Sequence, residues 1–188
     1  MRQLEQRGDN NLILRAKDGD MDAFETLVKK YQKPIYALCR RMTGEHQSAD
    51  DLSQETFIKT YISLQKFKDG KKFFSWIRKI ALNNSLNYLK KRKREEPLGI
   101  RETRMTENLN SSPHELPQEQ LLRKNMEVNF REALETLPLD QKTVFILRVF
   151  ENLSYKAIAD LLNIPTGTVM SQLSRSRKKL KTLLAEHL

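Results

Sequence analysis

The sequence predicts an all-α protein made of two small helical domains joined by a flexible linker, with a helix-turn-helix in the second domain. Only six of the 188 residues are glycine, and few stretches show the alternation of β-branched and polar residues that is typical of strands. Apolar residues recur instead at helical spacing. The segment 95–117 carries three prolines with several Asn and Ser residues, which is typical of a linker.

The predicted helices follow from this spacing and from residues that begin or end helices. They span residues 11–17, 21–42, 48–67, 73–94, 118–137, 140–151, 155–162 and 165–186. Asp20, Ser48 and Asp140 are suited to cap N-termini, and Gly44 is suited to end a helix. Pro34 lies inside the second helix and should kink it. We therefore expect domains at residues 1–95 and 118–188, with residues 96–117 as the linker.

Composition limits where the protein can act and what it can bind. The net charge of +10 is uneven, because residues 1–95 carry +9, residues 96–130 carry −2 and residues 131–188 carry +3. Basic flanks favour a polyanionic partner. The single cysteine, Cys39, can form no internal disulfide, which fits the cytoplasm. The chain contains no apolar run of 18 residues and no signal-peptide core at its start, so we expect a soluble protein without stable membrane insertion.

The segment 71–94 holds nine Lys or Arg residues, four aromatic residues and no acidic residue. On a helical wheel of about 100° per residue, its apolar residues fall on two sides. The strip between these sides holds one ring, two cations and one amide, namely Trp76, Lys79, Asn83 and Lys90. This mixture suits base stacking and phosphate contact. The alternative is a packed helix that merely has a solvated basic face.

The second nucleic-acid signal is a predicted helix-turn-helix in residues 154–184. Ser154 can cap its first helix, and Asn163 to Pro165 ends that helix and starts the next. Val169, Leu173, Leu180 and Leu184 form the inner stripe of the second helix. Its outer face would meet a major groove through Thr168, Ser171, Gln172, Arg175 and Lys178. An ordinary helical hairpin with a charged face is the alternative.

Catalytic chemistry is not predicted. The three histidines, His46, His114 and His187, are far apart, no Cys or His spacing suits zinc, and no Gly-rich phosphate loop is present. Asp50 and Asp51 also lack a matching array of carboxylates. We expect no catalytic residue, no metal and no cofactor.

The order of three motifs, DDLSQETF, FFSWIRKIALN and SYKAIADLLNIPTGTV, resembles the extracytoplasmic-function (group 4) sigma factors of bacterial RNA polymerase. The resemblance covers roughly 160 of the 188 residues and leaves out the extreme N-terminus and the linker. It implies a subunit that directs core polymerase to promoters and assists strand opening. A helix-turn-helix regulator that acts without polymerase is the alternative function.

The resemblance also implies roles for individual residues. Binding to the clamp coiled coil of core polymerase is implied for Asp50, Asp51, Leu52, Gln54, Glu55 and Phe57. The alternative for this segment is that its acids only cap a helix and its apolar residues are core. Contact with the minus-10 element is implied for Phe73, Trp76, Lys79, Asn83 and Lys90, with Phe73 and Trp76 either interior or in contact with DNA. Contact with the minus-35 element is implied for Thr168, Ser171, Gln172, Arg175 and Lys178.

The chain departs from the family pattern at two places. Met170 and Gln172 stand where the family commonly has Lys or Arg, so the minus-35 helix should depend less on phosphate charge. The loop KDGKKF at residues 68–73 also differs from the commonest family loop.

Energetics require a partner for strand opening. Separating ten base pairs costs about 14 kcal/mol at roughly 1.4 per step. Three stacks on aromatic rings or guanidinium groups return about 3 to 9 kcal/mol. The resemblance implies core polymerase as that partner, with promoter DNA in duplex and single-stranded form. It also implies an anti-sigma factor, which would mask a basic N-terminal half that otherwise binds DNA nonspecifically.

Overall fold

The computed structural model describes residues 2–68, 70, 72–95 and 118–185, and the side chains of residues 2–8 and 118–124 lie outside the description. The described residues form eight α-helices, one short 3-10 turn and no strand, which confirms the predicted all-α class. The helices are α1 (Arg2–Lys17), α2 (Met21–Thr43), α3 (His46–Ser63), α4 (Phe73–Glu95), α5 (Gln118–Glu135), α6 (Leu139–Val149), α7 (Tyr155–Leu162) and α8 (Thr166–Ala185). The predicted linker, residues 96–117, lies outside the described residues.

The chain divides into two compact units, Met1–Arg94 and Glu95–Leu188. In the N-terminal unit, α1 and α3 both pack against α2. The core of this unit is formed by buried aliphatic side chains from all four helices, including Ile13, Leu27, Ile35, Leu38, Met42, Leu52, Ile77 and Leu82. Each such side chain stabilises the fold by about 1.5 to 3 kcal/mol when it leaves water.

The two ends of α2 are fixed as the sequence predicts. The Asp20 side chain accepts a hydrogen bond from the backbone amide of Ala23 at 3.0 Å, and Arg15 donates to it at 2.8 Å. These two bonds lower the pKa of Asp20, so its stabilising contribution is present at neutral pH and is lost as the pH falls through the lowered value. At the other end Gly44 adopts a left-handed conformation, with φ of 77°. Pro34 lies within α2, which continues through it.

Two predicted N-caps are wrong. Helix α3 begins at His46 after Glu45, so Ser48 lies in its first turn, where it is buried and donates to the Glu45 carboxylate at 2.8 Å. Helix α6 begins at Leu139 after Pro138. Asp140 is therefore a first-turn acid, which the positive end of the helix dipole favours. The predicted helix 48–67 also ends early, because Leu64–Lys66 forms the 3-10 turn.

In the C-terminal unit, α8 packs against α5, α6 and α7. Its core includes Val144, Ile146, Leu147, Ile158 and Val169, all nearly inaccessible to solvent. Lys142 is also buried, and its ammonium group lies 2.6 and 2.7 Å from the two carboxylate oxygens of Glu135. The pair joins α5 to the start of α6 and satisfies a charge that would be costly to bury alone.

Among the described residues, no helix combines the length and the apolar composition that crossing a membrane would need. The described His, Cys, Asp and Glu side chains likewise contain no group of three or more that could hold a metal ion.

Cys39 is fully buried in α2, as predicted for a small core residue, and burial raises the pKa of its thiol to about 11. Since the thiolate is the reactive form, we expect iodoacetamide to alkylate the native protein near neutral pH far more slowly than the urea-unfolded chain. Mass spectrometry of the labelled fraction over time measures both rates. Equal rates in the two conditions would contradict the burial of this thiol.

Candidate nucleic-acid interface

Helix α4 is packed on two sides and exposed on the strip between them. The packed sides include Phe73, Ile77, Leu82 and Asn84, which are at most 6% exposed. Lys79, Asn83 and Lys90 are all exposed, and Trp76 is half-buried at the N-terminal end of the strip. The strip thus presents two ammonium groups and one amide to solvent along about three turns of helix.

An aromatic cluster surrounds the first turn of α4. The ring of Phe67 lies 5.1 Å from Trp76 and 5.6 Å from Phe73, and Phe73 lies 5.8 Å from Trp76, measured between ring centroids. Phe73 is only 3% exposed. Of the two alternatives left open for Phe73, the structure supports the interior one, because the ring packs against other rings in the core. Trp76 is the part of the cluster that reaches solvent.

The C-terminal end of α4 is basic, but its cations are not equivalent. Lys90, Lys93 and Arg94 are exposed. Arg92 is half-buried, and its guanidinium group lies 2.6 Å from the carboxylate of Glu45, the N-cap residue of α3. This pair helps to fix the end of α4 against α3, so Arg92 is a packing contact, whereas Lys91 is exposed like Lys90, Lys93 and Arg94.

Helix α3 exposes a stripe of mixed acidic and apolar residues. Taking Asp51 as the reference on a wheel, the stripe lies within about 60° on either side, and its exposed members from Asp51 onward are Asp51, Gln54, Glu55, Ile58 and Ile62. Ile58 and Ile62 are 60% and 74% exposed, which is unusual for isoleucine. Asp50 lies beside the stripe, with a carboxylate oxygen 3.2 Å from a ring nitrogen of His46.

Two of the predicted contact residues on α3 are interior. Leu52 is 5% exposed and Phe57 is 9% exposed, so direct contact of these side chains with a partner is corrected to a role in the core. The apolar contact that the sequence analysis assigned to them is offered instead by Ile58 and Ile62. Both were missed, although a wheel drawn from Asp51 along α3 would have found them.

Polar contacts connect α3 to α4. The ammonium group of Lys59 donates to the side-chain oxygen of Asn84 at 2.8 Å and lies 2.6 Å from the carboxylate of Glu55. The Asn84 amide donates in turn to the hydroxyl of Thr56 at 3.2 Å. Because Asn84 is buried, these bonds fix how α4 is rotated against α3. They therefore fix the outward direction of its neighbour, Asn83.

The C-terminal unit contains the predicted helix-turn-helix. Ser154 caps α7 by accepting from the amide of Ala157 at 3.1 Å. Asn163 ends this helix in a left-handed conformation, with φ of 54° and ψ of 49°. The Pro165 carbonyl then accepts from the amides of Thr168 and Val169 in the first turn of α8. Val169, Leu173 and Leu180 are buried as predicted, and Leu184 is half-buried.

The outer face of α8 carries the remaining predicted residues. Ser171, Arg175 and Lys178 are exposed, whereas Thr168 and Gln172 are half-buried. The hydroxyl of Ser171 donates to the Thr168 carbonyl at 3.0 Å within the helix and keeps its lone pairs for an outside donor. The face therefore offers two cations with small polar groups beside them, as a helix that enters a major groove would.

Comparison with known proteins identifies the family. The Sigma-70 region 2 family matches residues 27–95, and the Sigma-70, region 4 family matches residues 127–180. The RNA polymerase sigma-H factor of Pseudomonas aeruginosa is 36% identical, with 97% of this chain and 99% of that protein aligned. The ECF RNA polymerase sigma factor SigW of Bacillus subtilis is 32% identical, with 93% and 95% aligned. The chain belongs to the extracytoplasmic-function sigma factors of the sigma-70 family.

A solved structure has the same fold as this sigma factor. The sigma factor RpoE of Bartonella quintana, determined in complex with the anti-sigma factor NepR, superimposes with a TM-score of 0.63 at 24% identity. The match covers 86% of this chain and 96% of that one.

The sigma factor acts with core RNA polymerase at promoter DNA in transcription initiation. The region 2 match over residues 27–95 decides against a regulator that works without polymerase. It includes both the α3 stripe and the α4 strip, while the outer face of α8 lies within the region 4 match. Helix α1 precedes both matched segments.

Replacing the buried amide of Asn84 tests the contact between α3 and α4. Asn84→Ala should lower the free energy of unfolding of the N-terminal unit by about 1 to 3 kcal/mol, because Thr56 and Lys59 lose a buried partner. Urea titration followed by the fluorescence of Trp76, the only tryptophan of the chain, measures this change. The control, Asn87→Ala, alters an exposed amide one turn further along α4. The same stability loss in both variants would contradict a specific role for Asn84.

Proposed function

We propose that the sigma factor divides promoter recognition between its two units. Residues 1–95 bind core polymerase and the minus-10 element, residues 118–188 bind the minus-35 element, and residues 96–117 span the distance between them. The observation that carries the proposal is the exposed strip of α4, which is rich in cations, has no acid and ends at a half-buried tryptophan. We assign the chain a binding role and no covalent chemistry of its own.

The minus-10 element would be held by three kinds of contact along α4. Lys79 and Lys90 lie about 17 Å apart along the helix axis, at 1.5 Å per residue, and would contact phosphates. Asn83 lies between them and can donate and accept in one plane, as base reading requires. Trp76, which is half-buried, would stack on an unpaired base, and Phe73 packs against it from the core. Loss of specificity without loss of DNA affinity is the signature expected for Asn83.

Core polymerase would bind the α3 stripe. Acidic groups supply long-range attraction to a basic partner, and exposed isoleucines supply the apolar area that holds it. Asp51, Gln54 and Glu55 lie on the same face as Ile58 and Ile62, which gives both components on a rigid helix. Asp50 extends the acidic end, whereas Leu52 and Phe57 support the stripe from within. The clamp coiled coil, which is made of two helices, would fit this stripe.

The minus-35 element would be read by α8 in the major groove. Arg175 can pair with a guanine edge through two hydrogen bonds, and Ser171 can bond to several bases. Lys178 would contact the backbone, with Thr168 and Gln172 at the margin of the contact. Met170 is 54% exposed where the family commonly carries a cation, so this helix should depend less on phosphate charge and more on base contacts.

An anti-sigma factor is part of the proposal. The N-terminal half carries a charge of +9, and such a surface binds any DNA through counterion release unless it is covered. The RpoE relative was determined with an anti-sigma factor bound. We place this regulation in the cytoplasm, where polymerase works. If the sigma factor purified from uninduced cells carries no bound inhibitor, the proposed anti-sigma factor is contradicted.

The first prediction from this assignment concerns base reading. Asn83→Ala should reduce discrimination at one minus-10 position by about 1 to 3 kcal/mol, because an amide that pairs with a base edge is lost. Transcription in vitro with bacterial core polymerase, on a library randomised at both elements, measures the preference at every position. The minus-35 preferences serve as the internal control and should not change. An unaltered minus-10 profile would refute the role of Asn83.

The second prediction concerns core binding. Asp51→Arg should weaken the affinity for core polymerase by about 10-fold or more, because a charge is reversed within the proposed contact. Fluorescence anisotropy with labelled sigma factor measures this affinity. Glu25→Arg makes the same charge change at an exposed site on α2 and should bind as the parent does. If both variants bind core equally well, the α3 stripe is not the contact.

A further inference from the structure

Helix α1 has no role in the surfaces described above, yet it contacts Phe67, whose ring packs against Trp76. It precedes the region 2 match, which begins at residue 27. Ile13 and Ala16 bury its inner face in the N-terminal unit. Two polar side chains, Asp9 in its middle and Lys17 at its end, reach residues that surround the first turn of α4. These contacts join parts of the chain that are 21 to 50 residues apart.

Lys17, the last residue of α1, binds the segment of the chain that comes just before α4. Its ammonium group donates to the backbone carbonyl of Phe67 at 2.8 Å and lies 6.0 Å from the centre of the Phe67 ring. The side-chain amide of Gln65 donates in the opposite direction, to the Lys17 carbonyl, at 2.6 Å. The backbone of Phe67 and the side chain of Gln65, on either side of Lys66, thus both bind the end of α1. Phe67 in turn packs its ring against Trp76.

Asp9 acts on the same cluster from the other side, through α2. Its carboxylate is 7% exposed, accepts from the Tyr31 hydroxyl and lies 2.5 Å from the ammonium group of Lys30. The Tyr31 ring stacks on Phe74 with centroids 5.4 Å apart and planes 14° apart, and it packs against Phe73 at 5.6 Å. By fixing the hydroxyl, Asp9 fixes the position of a ring that supports the first turn of α4.

We propose that α1 is a brace, in which Lys17 and Asp9 are positioning residues that orient Trp76 for promoter binding. Neither residue touches DNA in this arrangement. Lys17 fixes the Phe67 side of the aromatic cluster, and Asp9 fixes the Tyr31 side. A ring that is held before binding loses less conformational freedom when a base stacks on it. The proposal rests on the minus-10 role assigned to Trp76 and extends it to a helix outside the matched segment.

The contact can be tested without DNA, because Trp76 is the only tryptophan. Lys17→Met keeps the apolar stem and removes the donor, and Lys17→Arg keeps a donor and should behave as the parent. Lys29→Met removes a similar charge from an exposed site on α2 and serves as the matched control. In Lys17→Met the emission of Trp76 should shift to longer wavelength and acrylamide should quench it more strongly. Unchanged emission and quenching in Lys17→Met would overturn the brace.

The functional arm uses the holoenzyme assembled with bacterial core polymerase. Two promoters that differ at one minus-10 base compete in a single transcription reaction. Lys17→Met and Asp9→Asn should each lower the discrimination by about 3-fold to 10-fold, a fraction of the value of one base stack. Affinity for core and discrimination at minus-35 should not change. Lys17→Arg should restore the parental discrimination, which a general loss of stability would not explain.

Trp76→Leu in the same competition separates the two proposals. If Trp76→Leu leaves minus-10 discrimination intact, the assigned role of Trp76 is wrong, and the emission of Trp76 in Lys17→Met alone decides whether the brace exists. If Trp76→Leu lowers the discrimination and Lys17→Met does not, the brace is overturned. Should circular dichroism show that Lys17→Met is unfolded at the assay temperature, Gln65→Leu carries the same test. It removes the reverse hydrogen bond from an exposed residue, and parental behaviour in both arms would overturn the brace.

Discussion

The N-terminal unit is organised by one constraint, which is that α4 must be packed on two sides while the strip between them stays in water with its positive charge. Aliphatic side chains such as Ile77 and Leu82 meet the first requirement. The second requires that no acid of α4 faces the strip, and residues 73–94 contain none. The cation that packs against a carboxylate, Arg92, lies off the strip and pairs with Glu45 at the N-cap of α3. Packing and nucleic-acid affinity are therefore assigned to different faces of one helix.

Polar contacts fix the rotation of α4 about its own axis. Consecutive residues on a helix differ by about 100° in direction, so a shift of one residue would turn Asn83 inward and bring Asn84 to solvent. Apolar packing alone tolerates such shifts more readily than a buried amide does, because an amide that lost Lys59 and Thr56 would remain unsatisfied. The same two helices carry the stripe proposed for polymerase and the strip proposed for DNA. The contacts of Asn84 thus also fix the angle between the two surfaces.

The sequence predicted the features that depend on local periodicity, and missed those that depend on distant contacts. The wheel separated the buried and exposed sides of α4 and α8 correctly, and Asp20, Gly44 and Ser154 act at the helix ends as expected. Helix α3 was harder, because apolar residues lie on both of its faces, and only the position of Ile58 beside Asp51 on the wheel separates it from the buried Leu52. The choice between core and DNA for Phe73 likewise depended on Phe67 and Tyr31. The contact of Lys17 with Phe67 spans 50 residues and has no local signal.

The burial of Phe73 also lowers the stacking energy that this unit can supply for strand opening, so the need for a partner is greater. Opening ten base pairs costs about 14 kcal/mol, and each base stack returns about 1 to 3 kcal/mol. With Phe73 in the core, Trp76 is the one ring of the cluster proposed to stack, so stacking on this unit recovers a small share of the cost. Cations on the strip bind the phosphates of duplex DNA nearly as favourably as those of separated strands. They therefore contribute little to the free-energy difference between closed and open DNA. With Trp76 holding one displaced base as proposed, the sigma factor can select the site, while the energy that keeps the strands apart must come from the polymerase.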